Sequence, residues 1–269
     1  MAKSTTTRRR RPSIVDAKQA VDLATAQSYS ENVFFFVPNL IGKFILLFGY
    51  TRVIMAGLSL HYMSYHPIYC TLLYGVSCLL DAVDGMAARA LKQTSKFGAV
   101  LDMVTDRCTT SCLLCYLSAA YPSYSILFQF LIALDFSSHY MHMYSSLVTG
   151  SVSHKLVTSD VSRILSLYYN DSRVLFFFCA GNELFFVSLY LMKWTTAPSG
   201  LPFLEHYTYP QIMASLTFLI FLAKNIINVI QLWKASKILV GVDLAERAAA
   251  RVAEAKKVDS GEKQINHSS

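Results

Sequence analysis

Six long apolar stretches alternate with short polar ones along the chain, at about residues 38–62, 67–88, 98–121, 125–148, 174–193 and 211–233. Each holds the roughly 20 mostly apolar residues that a helix needs to cross a bilayer core of about 30 Å. The separators, HPIY, YPSYS and the longer TTAPSGLPFLEHYTYP, carry the Pro, Ser and Gly that end helices. This pattern predicts an all-α polytopic membrane protein of six transmembrane helices. They form one membrane domain over residues 33–240, between a basic N-terminal segment, 1–32, and a charged tail, 241–269. The N-terminal segment lacks the apolar run of a signal peptide. The tail opens with good helix formers and is expected to end as a solvated coil.

Composition sharpens this picture. Hydrophobic residues make up 54% of the 269, charged residues only 15%, and the mean hydropathy of +0.38 exceeds what one soluble core requires. The net charge of +7 comes from Lys and Arg in four places: Arg8 to Arg11, Lys92 and Lys96, Lys155 and Arg163, and the tail from Lys234 to Lys263. With six spans all four lie on one side. The positive-inside rule makes that side cytosolic, with both termini there. Such charge suits anionic lipid headgroups. It is scattered over loops and tails with no interleaved aromatic platform, which argues against nucleic acid as a partner.

Two motifs point elsewhere. Cys108, Cys112 and Cys115 have an iron–sulfur spacing, but they fall inside an apolar helix, where Cys packs as a small polarisable residue. Cys70, Cys78 and Cys179 likewise lie in apolar spans and read as reduced packing residues. The sequons at Asn170 and Asn266 fall on the cytosolic side, where glycosylation does not occur.

The chemistry concentrates in DAVDGMAARALKQTSKFGAVLDMVTDR, residues 81–107. Asp81 and Asp84 share a face at the end of the second span, and Asp102 and Asp106 share one at the start of the third. A short basic loop between the spans makes the helices neighbours, so both pairs meet near the cytosolic boundary. Four carboxylates in a partly apolar cleft repel one another and call for a positive partner. Hard oxygen donors point to Mg2+ or Mn2+, as two ions. Gly85, Ala88 and Gly98 flank the carboxylates with almost no side chain, leaving room for a bulky ligand, and Arg89 adds a cation suited to phosphate. A cation channel or carrier would spread its acids through the membrane depth instead of gathering them at one face. A scaffold without catalysis would have lost an aspartate.

Asp81, Asp84, Gly85, Ala88, Arg89, Gly98, Asp102 and Asp106 match without a gap the D-x2-D-G-x2-A-R-x8-G-x3-D-x3-D motif, and the chain thereby resembles the CDP-alcohol phosphotransferase family. The segments FVPNLIG, LDFSSHYMHMYSS, SHK at 153–155, CAGNELFF and KNIINVIQL resemble its eukaryotic inositol-accepting members in particular. The resemblance implies a six-helix fold, commonly a homodimer, in the endoplasmic reticulum membrane with its site toward the cytosol. It implies displacement of CMP from CDP-diacylglycerol by myo-inositol. Asp81, Asp84, Asp102 and Asp106 would hold the metal pair, and Asp106 would also act as the base. Gly85, Ala88, Arg89, Gly98 and Asn39 would bind the nucleotide end of the lipid. The motif itself is shared with members that use serine, glycerol phosphate or amino alcohols.

Selectivity for the alcohol should lie outside that motif. Asp135, Ser138, His139 and His142 place a polar stripe in the fourth span, either lining a polyol pocket or joining helices. Arg107, Asp135 and His139 are the candidate inositol contacts. Asn182, Glu183, Lys224 and Asn228 are further intramembrane polar groups, suited to partner one another across helices. The chain departs from the family in the first span, where residues 43–50 separate the PNLIG segment from Arg52. As one helix from 33 to 63 this run would be about 46 Å long at 1.5 Å per residue. It predicts either a break near Gly42 or Gly49, or displacement of Asn39 from the nucleotide.

Overall fold

The computed structural model describes residues 40–90, 96–149, 171–200, 202 and 204–265. Asn39, Asn170, Asn266 and the whole 1–32 segment lie outside them, as do the side chains of Asp84, Ala88 and Arg89. The described residues form six α-helices: α1 (Leu40–Tyr62), α2 (Pro67–Ala90), α3 (Lys96–Ala120), α4 (Ser125–Val148), α5 (Ser172–Met192) and α6 (Tyr209–Ile265). No strand occurs among them.

Local chemistry sets the helix starts. Pro67 opens α2, where its missing N–H costs no hydrogen bond, and a 3-10 turn at Pro122–Tyr124 leads into α4. Asp171 caps α5 by accepting a hydrogen bond from the Arg173 N–H at 2.8 Å. At the start of α6 the Thr208 N–H donates to Gln211 Oε1 at 2.8 Å and the Gln211 N–H donates to Thr208 Oγ1 at 3.4 Å, a reciprocal capping box. In the α5–α6 loop, Gly200 adopts φ +64°, a left-handed turn that glycine makes without steric cost. Beside it, the Ser199 N–H donates to the Tyr207 carbonyl at 2.8 Å.

Two expectations are revised. Helix α1 is continuous from Leu40 through Gly42 and Gly49 to Tyr62, so of the two alternatives the break near those glycines is absent, while Asn39 lies outside the described residues. Helix α6 runs 57 residues to Ile265, where a coil was expected; the Ala, Glu, Arg and Lys of residues 245–257 are strong helix formers, and the helix continues through Asp259, Ser260 and Gly261.

Helix α1 packs chiefly on α2, α5 on α6, and α4 on both α3 and α6. The bundle divides along its length. Its apolar core unites Met63, Cys70, Tyr74, Leu113, Leu114, Leu117, Phe128, Leu131, Phe186, Tyr190 and Phe221. These come from the C-terminal parts of α1, α3 and α5 and the N-terminal parts of α2, α4 and α6, so consecutive helices alternate in direction. The opposite end is polar inside: Arg52, Ser77, Asp135, Ser138, His142, Lys224, Asn228 and Gln231 are all buried. Large apolar side chains instead point outward, among them Ile54, Ile68, Leu72, Leu79, Ile126, Leu216 and Leu219. Polar groups inside and aliphatic groups outside is the arrangement a lipid solvent favours.

Two helices, Arg173–Met192 and Tyr209–Ala255, are long and apolar enough to cross a membrane, and Pro67–Val83 is a shorter apolar helix.

Candidate metal and catalytic site

The polar end of the bundle is built around α3. Asp102 and Asp106 are one turn apart on this helix, and Asp81 reaches them from the C-terminal half of α2. One carboxylate oxygen from each of Asp81, Asp102 and Asp106 falls within 4.8 Å of the others. Three hard oxygen donors from two helices, so spaced, fit a divalent cation such as Mg2+ or Mn2+. The two ends of the sequence motif are therefore one cluster in space. Gly85 follows Asp81 by one turn on α2, and Gly98 precedes Asp102 by one turn on α3.

A residue to which the sequence reading gave no role completes the cluster. Arg52, from the middle of α1, lies with Nη1 2.6 Å from Asp81 Oδ1 and 2.6 Å from Asp102 Oδ1, and its Nη2 donates to Asp106 Oδ1. The Arg52 side chain is 5% exposed, whereas the three aspartates are each about a third exposed. The guanidinium thus enters from the protein interior, and the carboxylates open on the other side. Ser77 of α2 fixes the Arg52 backbone by donating from Oγ to its carbonyl at 3.1 Å. The available signal was the position of an arginine within an apolar segment, where a cation requires a partner. That partner lies 50 residues away for Asp102.

The expected neighbour relation of α2 and α3 is accordingly different in kind. Helix α2 packs against α1, α3 packs against α4, and α1 also touches α3. The aspartates meet across the Arg52 guanidinium at the end of the bundle.

Next to this cluster is a second polar layer. Arg107 follows Asp106 on α3, with Nη2 3.7 Å from Asp106 Oδ2. Its Nη1 lies 2.7 Å from both carboxylate oxygens of Asp135 on α4. The Asn228 amide of α6 donates to Asp135 Oδ1 at 3.2 Å, and Lys224 Nζ donates to Asn228 Oδ1 at 2.6 Å. His139 Nδ1 is 2.8 Å from the Asp135 carbonyl, which only accepts, so Nδ1 carries the proton. The three candidate alcohol contacts, Arg107, Asp135 and His139, therefore form one connected group beside Asp106. The Ser138 backbone carbonyl accepts from Gln231 Nε2 of α6 at 3.1 Å, and its hydroxyl donates to the Asp135 carbonyl of its own helix at 3.0 Å.

Glu183 of α5 serves a separate junction. Tyr74 Oη of α2 donates to Glu183 Oε2 at 2.6 Å and Thr110 Oγ1 of α3 donates to Oε1 at 3.0 Å, so one carboxylate ties three helices together. Asn182 Nδ2 lies 3.4 Å from the same Oε1. Among the polar groups of α5 and α6, Asn182 thus pairs with Glu183 and Lys224 with Asn228, and Glu183 and Lys224 also attract one another electrostatically. The cysteines Cys108, Cys112 and Cys115 are free and exposed on α3, and Cys70 is buried in the apolar core.

Residues 35–197 match the family model described as CDP-alcohol phosphatidyltransferase. The chain is 53% identical over 232 residues to a Schizosaccharomyces pombe protein named CDP-diacylglycerol–inositol 3-phosphatidyltransferase, covering 82% of this chain and 95% of the relative. Proteins of the same name from Saccharomyces cerevisiae and Homo sapiens are 44% and 42% identical, covering 80% and 81% of this chain and 90% and 97% of theirs. No solved structure matches the chain. A family match spanning α1 to the end of α5, with relatives this similar along nearly their full length, establishes that the chain belongs to the CDP-alcohol phosphatidyltransferase family.

Proposed function

We propose that the protein transfers the phosphatidyl group of CDP-diacylglycerol to myo-inositol, giving phosphatidylinositol and CMP. The observation that carries this reading is the convergence of Asp81, Asp102 and Asp106 in a chain whose relatives are named for that transfer. An inositol hydroxyl oxygen forms a bond to the lipid-side phosphorus as the bond from that phosphorus to the CMP oxygen breaks. The hydroxyl proton passes to the Asp106 carboxylate, about a third exposed and next to Arg107. Asp81, Asp84, Asp102 and Asp106 would hold two divalent ions, Mg2+ or Mn2+, which when bound neutralise charge on the nonbridging oxygens and the departing nucleotide.

The other roles are those of the family motif. Gly85, Ala88, Arg89 and Gly98, with Asn39, would bind the nucleotide end of the lipid. Arg107, Asp135 and His139 supply donors and an acceptor to the inositol hydroxyls. Because Asp106 and Arg107 are consecutive, the group that takes the proton and the group that orients the alcohol are fixed by one helix turn. Such positioning contributes to catalysis by holding the nucleophile in line.

The membrane setting is that of a six-span domain over residues 33–240, with the site and both termini on the cytosolic face of the endoplasmic reticulum. The lipid's acyl chains remain in the bilayer while cytidine and inositol enter from water. Aromatic rings mark the far boundary, where Tyr62, Tyr65, His66 and Tyr69 pack edge to face. Near the site, Trp233 lies under Lys234 and Lys237 at 4.9 and 4.3 Å, a pairing suited to the headgroup level. The active form is a homodimer.

The test supplies membranes containing the protein with CDP-diacylglycerol, Mn2+ or Mg2+ and radiolabelled myo-inositol. Label in a lipid with release of CMP, both lost in Asp106→Asn membranes, is the expected result. Label incorporated from serine or glycerol phosphate, and not from inositol, would overturn it.

A further inference from the structure

We infer that Arg52 is the site's internal stand-in cation. In the metal-free protein its guanidinium holds Asp81, Asp102 and Asp106 together, and the divalent ion must displace it to bind. This inference rests on the metal-site reading above. Its basis is that three carboxylate oxygens within 4.8 Å of one another repel unless a positive group lies among them. Arg52 is that group: Nη1 bridges Asp81 and Asp102 at 2.6 Å each, and Nη2 takes Asp106. A planar fork with several donors meets three acceptors at once, which a point charge on a lysine does not do.

The same contacts make Arg52 a competitor. A divalent ion binds carboxylate oxygens at about 2.0–2.6 Å, depending on the metal, and the locus where the three oxygens converge is already filled by guanidinium nitrogens. Approach is open on the opposite side, because the aspartates are a third exposed while Arg52 is 5% exposed. An ion entering from the cleft therefore displaces the Arg52 guanidinium from the carboxylate oxygens. The ligands are pre-gathered before the ion arrives, at the cost of weaker apparent metal affinity. Arg52 is a positioning residue, acting through the aspartates.

The experiment measures Mn2+ binding without substrates, by electron paramagnetic resonance of the free ion, on purified detergent-solubilised wild type, Arg52→Gln, Arg52→Lys and Asp102→Asn. Thermal unfolding in chelator is recorded alongside. Removing a competitor strengthens binding, so Arg52→Gln is expected to bind Mn2+ about tenfold more tightly. It should also unfold at lower temperature in chelator, with saturating Mn2+ closing that gap. Arg52→Lys is expected to fall between the two, and it carries the test if Arg52→Gln does not fold. Wild type that binds Mn2+ while both Arg52 variants bind it equally or more weakly overturns the inference alone. Wild type and both Arg52 variants all failing to take up Mn2+, as Asp102→Asn does, overturns the metal-site reading, and the inference with it.

Discussion

Arg107 directs a single guanidinium nitrogen at both oxygens of Asp135, each 2.7 Å away, and so binds the helix that carries Asp106 to α4. Both side chains are nearly buried, at 13% and 12% exposure. A pair of this kind is costly to break from one side, because the remaining charge is left in a dry interior.

Replacing Asp135 alone should therefore be worse than replacing both partners. Asp135→Leu is expected to destabilise by about 3–5 kcal/mol. The Arg107→Met/Asp135→Leu double variant should recover a measurable part of that loss in thermal unfolding. Both should lose inositol-dependent turnover. Simple additivity of the two single variants, measured with Arg107→Met as the second, would show that the pair is not energetically coupled.

Asp106 stands at the meeting of the aspartate cluster and the Arg107–Asp135 layer, with Arg52 on one oxygen and Arg107 near the other. Asp106→Asn keeps the side chain's shape and removes the proton acceptor. General-base catalysis is worth about 10²–10⁴-fold, so kcat for CMP release should fall by at least about a hundredfold while thermal unfolding in chelator changes little. Chelation of wild-type membranes should also abolish turnover, and added Mn2+ or Mg2+ should restore it. Activity that persists through exhaustive chelation would sink the metal assignment.

The aspartate cluster and most helix limits were readable because they depend on local signals. The i, i+3 and i, i+4 spacings of Asp81, Asp84, Asp102 and Asp106 place them on helix faces without knowledge of the fold. Pro67 and Pro122 mark the starts of α2 and of the turn before α4 within a residue or two of the expected limits. What escaped reading depends on contacts distant in sequence. Arg52 gains its meaning only from aspartates on two other helices, and Glu183 from Tyr74 and Thr110. Nothing in the residues beside Glu183 indicates either partner. Helix α1 differs for another reason: the length of the run from 33 to 63 suggested either a break near Gly42 or Gly49 or displacement of Asn39, and the helix is continuous from Leu40 to Tyr62.

The Glu183 junction predicts a graded series. Glu183→Gln retains an oxygen that accepts from Tyr74 or Thr110 and should cost about 1 kcal/mol. Glu183→Leu leaves both hydroxyls without this acceptor and should cost about 1–3 kcal/mol more. Tyr74→Phe combined with Glu183→Leu should be less damaging than Glu183→Leu alone, since one stranded hydroxyl is removed with its acceptor. Thermal unfolding in detergent reads the series. A Glu183→Gln variant that keeps its stability but loses turnover would instead move Glu183 into the reaction.

Gly181 sets how closely α5 and α6 approach. A methyl group there would lie 2.6 Å from Ile220 Cγ2 and 3.1 Å from both its Cβ and Cδ1. Ile220 is β-branched, so Cγ2 moves away only through an unfavourable χ1 and Cβ only with the backbone. Gly181→Ala should therefore force the helices apart and cost about 1–3 kcal/mol, the usual range for overpacking. The displacement has a functional consequence, because α6 also carries Asn228 to Asp135 at 3.2 Å. A shift of α6 loosens that contact, so KM for inositol should rise while Mn2+ affinity at the Asp81, Asp102 and Asp106 cluster stays unchanged. Ile220→Ala removes the Cγ and Cδ atoms that clash and should rescue both stability and KM when combined with Gly181→Ala. Failure of that rescue would mean that Gly181 is needed for something other than the close approach of α5 to α6.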